Sequence, residues 1–282
     1  MMNQTPDKLH FSTAGMPLRT PKPNGYEQAF GVLDEMDLDG IELEFVRGVR
    51  MSEKSQEVVK RLSAEKNMIV TAHGPYYINL NSKEQEKIEA SVVRIVETAA
   101  MADKVGAYSI TYHAAYYMGN DKDTVFDRVV KQTQRIIELV EKEDIKVWIR
   151  PETTGKVVQW GDLDEIIRLS KEFKQVLPCV DFSHLHARTG GGLNSYDDFC
   201  HILDQIGTEI GQYALDNFHA HLAGIAYSEK GEKNHLELDN SDMNYKDLLK
   251  AMKKFDIKGA LICESPNIEE DCRMIKDYYL GL

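Results

Sequence analysis

The chain has 282 residues, of which 42% are hydrophobic, and a formal net charge of −12 at pH 7. This acidic balance argues against non-specific binding to a polyanion. No run of about 18 apolar residues indicates a membrane span, and the N-terminus lacks the basic-then-apolar order of a signal peptide. The four cysteines form no CxxC pair. We therefore expect reduced thiols in a cytoplasmic protein without a membrane partner.

Short β-rich runs alternate with longer amphipathic ones along the chain. Strands are predicted at residues 10–14, 40–45, 68–73, 108–113, 146–150, 176–181, 218–222 and 260–264, and the main helices at 82–105, 124–143, 196–206, 245–255 and 269–279. Ser82 with Gln85, and Asp162 with Glu165, have the spacing of a capping box. Eight β-then-α units without a Pro/Ser-rich linker predict one α/β domain over residues 1–282, a (β/α)₈ TIM barrel.

The longest connection between a predicted strand and the following helix spans residues 223–244 and is polar. Loops of this length in a compact domain are often functional. We therefore expect this segment to contribute to the site.

Potential metal ligands stand at or just after the ends of six consecutive predicted strands. They are His73, His113, Glu152, Asp181, His184, His219, His221 and Glu264, with His235 in the long loop. Active sites of such barrels lie at the C-terminal ends of the strands, and burying so many polar groups without a metal would be costly. Imidazole mixed with carboxylate favours zinc, manganese or iron. The ligands are too many for one tetrahedral ion, so two or three ions sharing a bridging carboxylate fit better.

Seven short segments, taken together, resemble one known family. They are AHGPYYINL, TYHAAY, PETTGK, VDFSHLHARTGG, HAHLAG, NHL and CESP, and they occur in the order found in that family. The chain resembles endonuclease IV, the zinc-dependent apurinic/apyrimidinic endonucleases, within the broader xylose-isomerase-like barrels. The resemblance covers nearly the whole chain.

The resemblance implies a set of zinc ligands, with manganese as a possible substitute. They are His73 and His113 for a first ion, Glu152 bridging the first and second ions, Asp181, His221 and Glu264 for the second, and His184 and His235 for a third. Glu152 and Glu264 are also the residues it implies to be catalytic. One position departs from the family: the aspartate expected two residues before His235 is Lys233, and an ammonium group cannot bind a metal while protonated. The third site could be weaker, recruit Glu232 or water, or be empty, or Lys233 could contact phosphate.

The activity implied by the resemblance is cleavage of duplex DNA 5′ to abasic sites, in base excision repair. A hydroxide held by the metals would attack phosphorus, and the abasic nucleotide would be flipped out of the duplex. Tyr76 matches a loop tyrosine of the family. Arg47 and Arg50 are candidate wedge residues from the loop after the second strand, although a solvated loop explains them equally well.

The alternative function is that of a sugar isomerase or epimerase, because the same superfamily holds such enzymes. They resemble this chain at Glu152, Asp181, His221 and Glu264, a ligand set for one manganese-type ion. His73, His113 and His235 favour the nuclease, whereas the net charge and Lys233 favour the isomerase. A non-catalytic metal-binding protein fits poorly, because no closed structural zinc site is present. We expect a monomer without a protein partner, a buried role for His219 behind the site, and no ligand role for His186.

Overall fold

Eight parallel strands form the centre of the fold in a computed structural model that describes residues 2–282. In chain order they are β1 (Leu9–Ala14), β2 (Gly40–Glu44), β3 (Ile69–His73), β4 (Ser109–Tyr112), β5 (Trp148–Pro151), β6 (Val180–Asp181), β7 (Phe218–Leu222) and β8 (Gly259–Cys263). The order across the sheet is β5-β4-β3-β2-β1-β8-β7-β6. Each strand therefore lies beside its neighbours in the sequence, and β1 pairs with both β2 and β8.

The barrel closes between β5 and β6. Two isolated parallel bridges join this seam, Ile149 with Val176 and Glu152 with Cys179. The segment predicted as a strand over 176–181 is regular only at Val180–Asp181, because Pro178 has no N–H to donate to the ladder. The predicted (β/α)₈ TIM barrel is confirmed.

Helices follow the strands and surround the barrel. They are α1 (Tyr26–Glu35), α2 (Glu53–Glu65), α3 (Gln85–Lys104), α4 (Lys122–Lys142), α5 (Leu163–Glu172), α6 (Phe182–Arg188), α7 (Tyr196–Glu209), α8 (Gln212–Leu215), α9 (Tyr245–Lys254) and α10 (Glu269–Leu280). The capping box of Asp162 and Glu165 is confirmed at the start of α5. The one predicted at Ser82 is wrong: α3 begins later, and the Ser82 hydroxyl instead accepts from the N–H of Glu84 in the preceding turn.

Two features of the C-terminal face differ from the sequence-based expectation. The segment 223–244 is a β-hairpin, Gly224–Ser228 paired with Gly231–Leu236, followed by a short 3₁₀ turn. His184, in the segment after β6, lies in the short helix α6, and the Asp181 carboxylate caps that helix by accepting from the backbone N–H of His184 at 2.7 Å. No helix within residues 2–282 is long and apolar enough to cross a membrane.

Candidate metal centre

The buried Glu152 carboxylate lies at the centre of the predicted ligands. Its Oε2 is 3.2 Å from Nε2 of His73, and its Oε1 is 3.1 Å from Nε2 of His113. The same Oε1 is also 3.1 Å from Nδ1 of His184 and 3.7 Å from Nδ1 of His221. One carboxylate, only 1% exposed, thus contacts histidines from β3, α6 and β7 and from the residue that follows β4.

Backbone carbonyl groups orient three histidine rings through Nδ1 and leave Nε2 as the nitrogen available to a metal. Nδ1 of His73 donates to the carbonyl oxygen of Gly74 at 2.7 Å, Nδ1 of His184 to that of Thr153 at 3.0 Å, and Nδ1 of His235 to that of Glu264 at 3.2 Å. A carbonyl oxygen only accepts, so Nδ1 keeps its proton, and Nε2 offers a lone pair to a metal once the ring is neutral. Backbone contacts of this kind orient histidine ligands in metal sites.

The donor atoms form overlapping groups, each small enough to surround one ion. Within each group all donor atoms lie within 4.8 Å of one another, and the groups include His73/His113/Glu152, Glu152/Asp181/His221, Glu42/His221/Glu264 and Asp181/His184/His235. The structure therefore brings together all eight residues that the resemblance implies as ligands. Their mixture of imidazole and carboxylate suits a zinc- or manganese-type ion.

The chemistry of the cluster also fits a metal. His221 is fully buried, and neither ring nitrogen has an aligned hydrogen-bond partner. Burial lowers the pKa of His73 and His184, but Glu152 beside His73, and Asp181 with Glu152 beside His184, outweigh this effect and raise both pKa values to about 10. Without a metal, these histidines would hold protons to balance the acids; a divalent ion would replace those protons.

Glu42 on β2 belongs to the centre but was missed from the sequence. It is fully buried, and its Oε1 lies 3.1 Å from Nε2 of His221 while its Oε2 lies 3.1 Å from Nε2 of His219. The histidine contacts are at ion-pair distance without hydrogen-bond alignment; the Thr71 hydroxyl donates to Oε2 at 2.7 Å. Glu42 therefore faces the side of His221 opposite to Glu152 and Glu264.

Glu44, two residues further along β2, is a second missed acid. One of its carboxylate oxygens is buried without a hydrogen-bond partner. Burial raises the pKa of Glu44 to about 8, against the opposing effect of His73. The alternation in GIELEF could have revealed both acids, because residues two apart on a strand point to the same face.

His219 and His186 are not among the eight ligands that the resemblance implies. His219 is fully buried beside Glu42, and its Nδ1 contacts the Ser109 hydroxyl at 2.9 Å. Its expected buried position behind the site matches the structure. His186 points away from the centre, and its Nε2 lies 3.2 Å from the Asp242 carboxylate.

The candidate DNA-contacting residues are exposed, and Tyr76 lies beside the cluster. Tyr76 is 53% exposed, and its ring centroid lies 5.5 Å from that of His73 and 6.4 Å from that of His113. Arg47 and Arg50 are exposed on the loop after β2, and neither forms an ion pair with another residue in 2–282. Lys233 is exposed on the hairpin.

Sequence comparison finds relatives of two kinds. An uncharacterized protein of Methanocaldococcus jannaschii is 41% identical over 271 residues, covering 96% of this chain and 97% of that protein. A probable endonuclease 4 of Aquifex aeolicus is 25% identical over 174 residues, covering 60% of each chain.

Solved structures with a similar fold include both nucleases and epimerases. Endonuclease IV from Thermus thermophilus superposes with a TM-score of 0.73 at 16% identity, covering 98% of this chain and 100% of that chain. A D-tagatose 3-epimerase-like protein also gives a TM-score of 0.73, at 17% identity, covering 96% of this chain and 97% of that chain. At such identities the likeness concerns the fold alone. The family model described as xylose isomerase-like TIM barrel matches residues 30–278, and the chain belongs to that family.

Proposed function

We propose that this protein is a divalent-metal-dependent phosphodiesterase, an apurinic/apyrimidinic endonuclease that cuts duplex DNA 5′ to abasic sites. The observation that carries the proposal is the position of Glu152. His73 contacts Oε2 and His113 contacts Oε1, and the same carboxylate also groups with Asp181 and His221. A single-ion enzyme needs only the second group. A carboxylate shared between two groups is the ligand expected of a two-metal phosphodiesterase.

Side-chain exposure indicates where substrate would enter. The side chains of His113 and Glu264 are 19% and 12% exposed, whereas those of His73, His184 and His221 are 4% or less. A phosphodiester would therefore approach between β4 and β8. Bound divalent ions would supply a Lewis acid and lower the pKa of water to near neutrality.

Tyr76, Arg47 and Arg50 would position the DNA. Tyr76 presents an exposed ring beside His113, which suits stacking against a base next to a flipped nucleotide. Arg47 and Arg50 would neutralise backbone phosphates locally in a chain of net charge −12. Binding should accordingly weaken steeply as salt is raised. The partial match to a probable endonuclease 4 supports this proposal.

The test is incision of a duplex that carries one tetrahydrofuran abasic analogue. With zinc, manganese or cobalt present, we expect one cut 5′ to the analogue and none in the matched undamaged duplex. Glu165→Gln is the protein control, since Glu165 is a buried carboxylate that caps α5 outside the metal cluster. Absence of incision with all three metals would reject the proposal.

A single-metal sugar epimerase is the second candidate. It is favoured by the likeness to the D-tagatose 3-epimerase-like protein and by the buried group Glu152, Asp181 and His221, which would suffice for one ion. The unpartnered Glu44 carboxyl also suits a neutral polyol better than a phosphate. Epimerisation of a ketohexose by the manganese-loaded protein, without DNA incision, would replace the first proposal with this one.

A further inference from the structure

The hairpin after β7 contains an irregularity at Lys233, the position where the sequence departs from the endonuclease IV pattern. Its register pairs Ala226 with Asn234 but Tyr227 with Glu232, so one residue, Lys233, is left over as a β-bulge. In a regular strand, residues two apart share a face. The extra residue shifts this alternation, so that Glu232 comes to the face of His235.

Distances place Glu232 beside the free nitrogen of His184. Oε2 of Glu232 is 3.5 Å from Nε2 of His184, which is longer than a ring N–H hydrogen bond of about 2.9 Å. Two donors of one tetrahedral zinc ion, each about 2.0–2.1 Å from it, lie roughly 3.3 Å apart. Asp181 approaches the other ring nitrogen, with its Oδ2 3.0 Å from Nδ1, and so leaves Nε2 to Glu232.

The neighbouring backbone holds Glu232 in this position. Its N–H donates to the carbonyl oxygen of Gly155 at 3.0 Å. A methyl group at position 155 would lie 2.7 Å from Cβ of Glu232 and 2.9 Å from Cδ2 of His184. Only glycine at 155 lets the carboxylate and the imidazole approach each other this closely. Lys233, by contrast, is exposed to solvent.

We propose that Glu232, delivered by the bulge at Lys233, is the carboxylate ligand that completes a third divalent-metal site with His184 and His235. This assignment rests on the proposed multi-metal function and specifies its third ion. It also accounts for a lysine where an aspartate ligand is expected, since the bulge places the neighbouring acid in the site. The substitution at 233 therefore removes no ligand.

The test measures metal binding without DNA. Metal-free protein is titrated with Zn²⁺ in competition with a chromophoric chelator, for the native chain, Glu232→Gln, Lys233→Gln and Glu229→Gln. Glu229 is the matched control, an exposed acid in the turn of the same hairpin. We expect three equivalents in the native protein and a loss of at least about tenfold in affinity for one of them in Glu232→Gln alone. Co²⁺ absorption spectra should change for that same equivalent.

Two results would overturn the assignment: a native chain that binds only two equivalents, or a Glu232→Gln variant that binds all three as the native chain does. The measurement is independent of the proposed reaction. If the protein cuts no abasic DNA but Glu232→Gln loses one equivalent of metal, the third-site assignment stands and the proposed endonuclease function is rejected. If the protein cuts abasic DNA but Glu232→Gln binds metal as the native chain does, the proposed function stands and the assignment of Glu232 is rejected.

Discussion

Replacing Glu42 by glutamine should weaken the binding of the ion held by His221 while leaving the fold intact. Glu42 contacts three groups, the ring nitrogens of His221 and His219 and the hydroxyl of Thr71. Glutamine has the same shape, but only one of its two terminal atoms accepts a hydrogen bond. Nε2 of His221 then loses the neighbouring negative charge. That charge favours a proton on Nε2, which leaves Nδ1 available to bind a metal.

The size of the effect follows from the burial of Glu42. Removing a carboxylate that orients a histidine ligand lowers metal affinity by about 10- to 100-fold, which corresponds to about 1.4 to 2.7 kcal/mol. Glu42 is fully buried, so water cannot take its place. We therefore expect a loss near 100-fold for one equivalent. The equivalent bound by His73 and His113 should change much less, because Glu42 touches neither residue.

Competition titration with a chromophoric chelator measures each equivalent separately. The control is Asp39→Asn, the same acid-to-amide change before the N-terminal end of β2, where Asp39 accepts from the N–H of Phe11 at 3.0 Å. This control should lower thermal stability but not metal affinity. If Glu42→Gln binds every equivalent as tightly as the native protein, Glu42 does not orient His221.

Three further predictions concern the shared carboxylate, the histidine protons and the opening. Glu152→Ala should lose abasic-site incision by at least about 100-fold together with one bound ion, measured by gel assay and metal analysis; full activity in this variant would mean that the bridging role is misassigned. Because the surrounding acids raise the pKa of His73 and His184 to about 10, both rings are protonated at pH 7 in the metal-free protein, so zinc binding should release protons and tighten as pH rises from 6 to 9. Calorimetry in buffers of different ionisation enthalpy detects this release, and binding that is independent of both buffer and pH would contradict it. Tyr76→Ala should raise KM for abasic duplex by roughly tenfold, about 1 to 2 kcal/mol of lost stacking, with metal content unchanged; an unchanged KM would remove Tyr76 from the DNA surface.

The sequence was sufficient to predict the barrel and to place the candidate ligands at the ends of its strands. Regular alternation of β and α patterns specifies a parallel barrel, and parallel strands bring their C-terminal ends to one face. Residues such as His73, His113 and Asp181 could therefore be grouped without coordinates. The same reasoning predicted too long a strand at the seam, where Pro178 interrupts the regular hydrogen-bond ladder between β5 and β6.

The parts that the sequence did not predict depend on non-local geometry. The position of Glu232 follows from the strand register of a hairpin, and a bulge cannot be located from the order of residues alone. Glu42 and Glu44 were overlooked because acids are rarely buried within a strand unless a partner is present. The histidines nearest in charge to them, His221 for Glu42 and His73 for Glu44, come from other strands, β7 and β3.

The central claim is that Glu152 joins two metal ions in one centre. Its most direct test is the number of zinc ions per chain, determined by plasma mass spectrometry on zinc-loaded native protein after free metal has been removed. The arrangement of His73, His113, Glu152, Asp181 and His221 predicts at least two ions per chain. One ion per chain would contradict it and would favour the single-metal epimerase.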